Sequence, residues 1–189
     1  TDMNSRLPIP GVMLLLAMTA AVVAGPWFGQ HDPSDIDPLV RLHGTSFEHW
    51  MGTDSLGRDV LSRSLWGGRV SMVVGACVAV LATAVGLLLG LAAGLSRLVD
   101  PWIMRVMDGL MAVPGVLLAI ALTAFMQPGV ATVIVAIAVP EVPKVARLVR
   151  SLALQLREQP FVEAARAAGT PLPRIVKRHI LPHMAGPLV

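Results

Sequence analysis

The chain has 189 residues, of which 54% are hydrophobic and only 14% charged, with a formal net charge of +3. A soluble domain of this size carries about 25% charged residues, so a water-soluble globular fold is excluded. Nucleic-acid binding is excluded as well. The basic residues sit between apolar runs with no interleaved aromatic platform, and four Phe with no Tyr leave few candidates for base stacking.

No Asp, Glu, Lys, Arg or His occurs from Leu7 to Gln30, from Val70 to Ser96, or from Gly109 to Pro140. A bilayer core of about 30 Å needs roughly 20 apolar residues of helix, so each run is long enough to cross. The first span is predicted over Ile9 to Phe28, preceded by Arg6. It is longer than a signal-peptide core, and no clean small-x-small cleavage site follows, so it reads as an uncleaved helix.

A polar segment, Gly29 to Arg69, comes next, with six acidic residues and four arginines. Within it Leu56 to Trp66 is predicted as a short amphipathic helix, because Leu56, Val60, Leu61 and Leu65 recur at helical spacing. His31, His43 and His49 share the segment, but their irregular spacing reads as solvated loop histidines, and no metal site is expected.

The second span, Val70 to Leu95, carries small residues every four positions: Ser71, Gly75 and Ala79, then Ala82, Gly86, Gly90 and Gly94. Helices in hydrocarbon associate by close backbone approach, so Gly86, Gly90 and Gly94 are predicted to pack against another helix. Cys77, the single cysteine, lies inside this span and reads as a small packing residue.

A third span is predicted from about Trp102 to Met126, with Arg105 and Asp108 as an interfacial pair at its start and a bend at Pro114. The uncharged run continues for 32 residues, or roughly 48 Å of helix, too long for one crossing. Gln127, Pro128 and Gly129 divide it. A fourth span then begins near Val130 and leaves the membrane around Pro140 to Pro143.

From Lys144 to Arg178 there are eight basic residues against Glu158 and Glu163. The positive-inside tendency places this segment in the cytoplasm. Counting back puts the N-terminus inside and the acidic 29–69 segment outside. The expected organisation is therefore an N-terminus and first helix over 1–28, an extracytoplasmic loop over 29–69, and helices two to four over 70–143. A cytoplasmic loop follows over 144–182, and a fifth span starts over 183–189. The architecture is all-α and polytopic.

Phe161 to Gly169 reads FVEAARAAG, a good helix with a small flat face that Gly169 is suited to end. A second short helix is predicted near Leu172, with Ile175, Val176, Ile180 and Leu181 as its apolar side. Such a helix–turn–helix beside a membrane fits a groove on a soluble partner, or lies on anionic lipid. The residues alone leave both open.

Glu163-Ala164-Ala165 followed by Gly169 and then Leu181-Pro182 resembles the "EAA" loop of ABC-importer permeases. Ile175 with His179-Ile180-Leu181-Pro182 is similar to the dipeptide/oligopeptide/nickel branch. The general pattern expects isoleucine where His179 stands, and the branch often has asparagine where His183 stands. A second stretch, GTDSLGRDVLSR over 52–63 followed by WGGRVS over 66–71, resembles the segment before the second span in C-type permeases of peptide importers. Arg105, Asp108, Pro114 and Ala146 to Arg150 also resemble that family.

The resemblance implies a type I ABC-importer permease fold and half of a translocation pathway for peptides or chelated nickel, in a bacterial-type inner membrane. It implies a sister permease, cytoplasmic ATP-binding subunits and an extracytoplasmic binding protein as partners. Glu163, Ala164, Ala165, Gly169, Ile175, His179, Leu181 and Pro182 would form the ATPase-coupling loop. No cofactor is implied, and no enzyme activity, since the chain has no G-x-x-x-x-G-K-[ST] signature. Family members have six spans, so four spans here suggest that the last two are missing. The competing readings are a secondary transporter, which usually buries charges at mid-membrane, a membrane-embedded enzyme, and a membrane scaffold subunit.

Overall fold

The computed structural model describes residues 9–28 and 31–188. Regular structure among them is helical, apart from an isolated antiparallel bridge between Thr53 and Asp59. The chain forms two compact units, Thr1–Val73 and Val74–Val189.

In the first unit, helix α1 (Ile9–Phe28) lies against the beginning of α2 (Val60–Leu95). A Cβ built on Gly25 would stand 2.8 Å from Leu65 Cβ, and one on Gly68 would stand 3.0 Å from Val22 Cγ2. Sequence number falls along one helix as it rises along the other, so the pair is antiparallel. The short amphipathic helix expected over Leu56 to Trp66 is not separate. From Val60 onward it is continuous with the second apolar helix, because no proline intervenes and Gly67 and Gly68 do not break it. Its start is fixed by Asp59, whose Oδ2 accepts from Ser62 N at 2.7 Å as an N-cap.

The loop before α2 is built by the same motif. Asp54 Oδ1 accepts from Leu56 N at 2.8 Å and Arg58 N at 3.0 Å, and its Oδ2 accepts from Arg58 Nε at 2.9 Å and from Arg63. Gly57 sits at φ +78°, and a Cβ there would overlap the Asp37 carbonyl oxygen.

In the second unit, α2 is followed by α3 (Asp100–Ala112), α4 (Gly115–Phe125) and α5 (Val130–Arg157). The third expected span is two helices meeting at 94° across Val113–Pro114, so Pro114 breaks the helix instead of bending it. Where the fourth span is expected to leave the membrane, at Pro140 to Pro143, the helix itself does not stop. Helix α5 runs through both prolines to Arg157, with Val142 and Pro143 buried. Each proline removes one backbone hydrogen bond, and packing on both sides of the helix outweighs that loss.

By length and composition, α2 alone suffices to cross a membrane among the described residues, with mean hydropathy 2.6 over its most apolar window. The bent α3–α4 pair qualifies together, and α1 contributes a shorter apolar stretch, Pro10–Gly25.

The glycine stripe of α2 faces α5. Built Cβ atoms on Gly86 and Gly90 would stand 2.6 Å from Val145 Cβ and Val149 Cβ, and one on Gly94 would stand 2.6 Å from Ala153 Cβ. Partners advance by four residues on both helices, so α2 and α5 run parallel there. Ser71, Gly75 and Ala79, the earlier half of the small-residue pattern, are exposed.

Candidate functional site

Helix α6 (Pro160–Ala167) begins with proline at its first position, where no backbone donor is needed. It ends in a Schellman turn: Gly169 N donates to Arg166 O at 2.9 Å and Thr170 N to Ala165 O at 3.0 Å, with Gly169 at φ +76°. Pro171 then starts α7 (Leu172–Ile175), which passes through a π turn over Val176–Ile180 into α8 (Leu181–Leu188). The sequence thus supplies both the stop and the restart of this helix–turn–helix.

Its inner side is anchored. Val162, Ile175, Ile180 and Met184 are fully buried together with Val149 and Ala153 of α5, and Leu87, Leu91 and Leu95 of α2 pack around them. Each buried side chain of this size contributes about 1.5–3 kcal/mol. The Phe161 and His183 rings stack at 5.2 Å, joining the two ends of the element.

The outer side is small and flat. Glu163, Ala164, Ala167, Ala168 and Gly169 are exposed, and so are the cationic Arg166, Arg174, Lys177 and Arg178 of the same element. Ala165 is half-buried against the anchoring cluster, so it does not share the outer face with Ala164. Ile175 is wholly inside. Leu181 and Pro182 are exposed at the start of α8, and His179 lies on the π turn with its side chain outside the described residues.

Ion pairs join α3 to α5, the helix that leads into the element. Arg150 donates Nε and Nη2 to the two oxygens of Asp100 at 2.5 and 2.6 Å. Asp108 accepts from Arg147 of α5 at 2.5 Å, so its partner is on another helix and not Arg105 as expected. Arg157 Nη1 reaches the Gly94 carbonyl at 3.3 Å, where α2 approaches its end. The bidentate Asp100–Arg150 geometry is the strong form of such a pair.

In the first unit, a cavity of about 280 Å³ is lined by His31, Asp32, Asp35, Asp37, Glu48, His49 and Asp59 among others. Burial alone would raise the Asp59 carboxyl, but Ser62 and the His49 ring, as hydrogen-bond partners, outweigh it and hold the carboxyl below its ordinary value. The grouping of His31 and His49 with Asp59 is not legible from spacing, whereas His43 stays apart from it.

The family described as binding-protein-dependent transport system inner membrane component matches residues 82–189. Among curated relatives, the chain is 51% identical over 175 residues to a probable peptide ABC transporter permease protein of Sinorhizobium fredii, covering 93% of this chain and 58% of that one. It is 43% identical to a putative peptide transport system permease protein of Brucella suis, with 95% and 60% covered. It is 38% identical to the dipeptide transport system permease protein DppC of Alkalihalophilus pseudofirmus, with 98% and 62% covered. The chain spans about three fifths of the length of these relatives.

Proposed function

The chain belongs to the family of binding-protein-dependent transport system inner membrane components, and from that membership we propose that it is a permease subunit of an ABC importer for peptides. In this reading it contributes half of a translocation pathway in a bacterial-type inner membrane and pairs with a sister permease. An extracytoplasmic binding protein delivers substrate, and ATP-binding subunits on the cytoplasmic side supply the energy. The names of the relatives favour peptides over chelated nickel.

The observation that carries the proposal is the two-sided character of the α6–α8 element. Its inner side is locked to α2 and α5 by four fully buried side chains, while its outer side offers exposed alanines and one glutamate, and the element carries exposed cations. A small-residue face lets a partner's surface approach the backbone closely, and a locked base turns a push on that face into motion of the attached helices. A lipid anchor needs neither property, because bilayer-surface helices bind through bulky apolar side chains.

Cys77→Ala removes the single cysteine, and a photo-crosslinker at exposed Ala167 then reports what meets the outer face in membranes. The expected product is a covalent adduct with the ATP-binding subunit, weakened by Gly169→Val, which strains the φ +76° turn. Adducts with lipid alone would overturn the coupling role.

A further inference from the structure

We propose that His31, His49 and Asp59 form a binding site for one borderline first-row divalent cation, of the zinc class, in the loop between α1 and α2. One ligand atom from each of the three residues lies within 4.8 Å of the other two. His49 Nδ1 and Asp59 Oδ1 stand 3.1 Å apart. Two ligands each about 2.0–2.1 Å from a tetrahedral zinc are separated by roughly 3.3 Å, so this pair is already spaced as neighbouring ligands of one ion. The His31 and His49 ring centroids are 4.7 Å apart. His31 is exposed, so its side chain is free to turn toward the pair.

The rest of the environment suits a cation. Asp59 is held rigidly, since its Oδ2 caps α2 through Ser62 N while Oδ1 remains directed at His49. Asp32, Asp35 and Glu48 line the same cavity and lend it negative potential. Two imidazoles and one carboxylate are a donor set for zinc, cobalt or nickel and not for calcium or magnesium, which take oxygen ligands. Occupied, the ion replaces the proton shared between His49 and Asp59. It then clips the residue that follows α1 closely in sequence to the cap of α2, all within the first unit.

A hydrogen bond between His49 and Asp59 that merely orders the loop predicts something different, because it does not involve His31. The full chain, purified in detergent with a histidine-free tag, is titrated with CoCl2 while the visible d–d bands are followed. The expected result is saturation at one Co2+ per chain, bands of tetrahedral intensity, and their displacement by ZnCl2. His31→Ala and His49→Gln each remove a direct ligand and should weaken Co2+ affinity by at least the ~10- to 100-fold typical of losing an outer-shell partner. His43→Ala, from the same loop but outside the cluster, should leave affinity unchanged. His31→Ala keeps the His49–Asp59 hydrogen bond and alters only an exposed side chain, so circular dichroism should show an intact fold. The proposal is overturned by the absence of d–d bands in the parent chain, by unaltered affinity in folded His31→Ala, or by an equal loss in His43→Ala.

Discussion

Among the described residues of the first unit, Asp54 is the most heavily used carboxylate, accepting from two backbone amides and two arginines. Burial works against its charge, but the Leu56 and Arg58 amides and the Arg58 guanidinium prevail and hold the carboxyl well below its ordinary value of 3.8. Asp59 is lowered too. A carboxyl lowered in the folded state binds fewer protons there than in the unfolded chain. Its stabilisation is therefore complete above the ordinary value and is lost as pH falls below it toward the folded value. Thermal unfolding of the first unit should accordingly be flat with pH near neutrality and weaken steeply below about pH 4. Asp54→Asn should lower the neutral-pH midpoint and flatten the acid limb. An unchanged acid limb in that variant would show that other groups govern it. The same contacts explain why the GTDSLGRD stretch has its composition. Two glycines supply positive φ, one aspartate closes the turn and the other caps α2. The sequence displays these residues as a motif but does not reveal that they act on the loop's own backbone.

At the scale of elements, the contact between α2 and α5 rests on three glycines that admit no side chain. Gly90 is the clearest test, since a built Cβ would stand 2.6 Å from both the Ala146 carbonyl and Val149 Cβ. Gly90→Val should destabilise the second unit by about 1–3 kcal/mol, the usual cost of overpacking, read as a lower unfolding midpoint in detergent. Gly75→Val is the matched control: the same helix and substitution, but with nothing within 4 Å of the new Cβ, so its midpoint should stay near the parent's. Equal effects of the two would mean that helix propensity, and not close approach, sets the cost. The four-residue spacing of Gly86, Gly90 and Gly94 was visible because it is a local pattern. The continuity of α5 was not. Pro140 and Pro143 read locally as an exit, and only tertiary burial of Val142, Pro143 and Ala146 reveals why the helix persists. The break at Pro114 was legible as a place but not as a 94° turn. The His31–His49–Asp59 grouping depends on turns at Gly52 and Gly57 that spacing alone does not encode.

For the molecule as a whole, the family match over 82–189 falls entirely within the second compact unit, which also contains the α6–α8 element and its anchors. In the proposed reading, docking and transmission belong to different sides of that element, so they should separate experimentally. Ala164 is exposed and Ala165 is half-buried, which makes Ala164→Trp the substitution that blocks the outer face without disturbing the core. Under the proposed reading it should abolish crosslinking from Ala167 to the ATP-binding subunit and reduce transport in parallel, with the unfolding midpoint unchanged. Ile175→Ala acts from inside. It opens a cavity beneath the turn, at a cost of about 2–5 kcal/mol if the surroundings do not collapse, but leaves every outer residue in place. Crosslinking should then persist in the folded fraction while transport per crosslinked complex falls, because the face still binds but no longer moves α2 and α5 with it. Transport falling in strict proportion to crosslinking in both variants would instead make the buried anchors mere support for docking, with the signal travelling by another route.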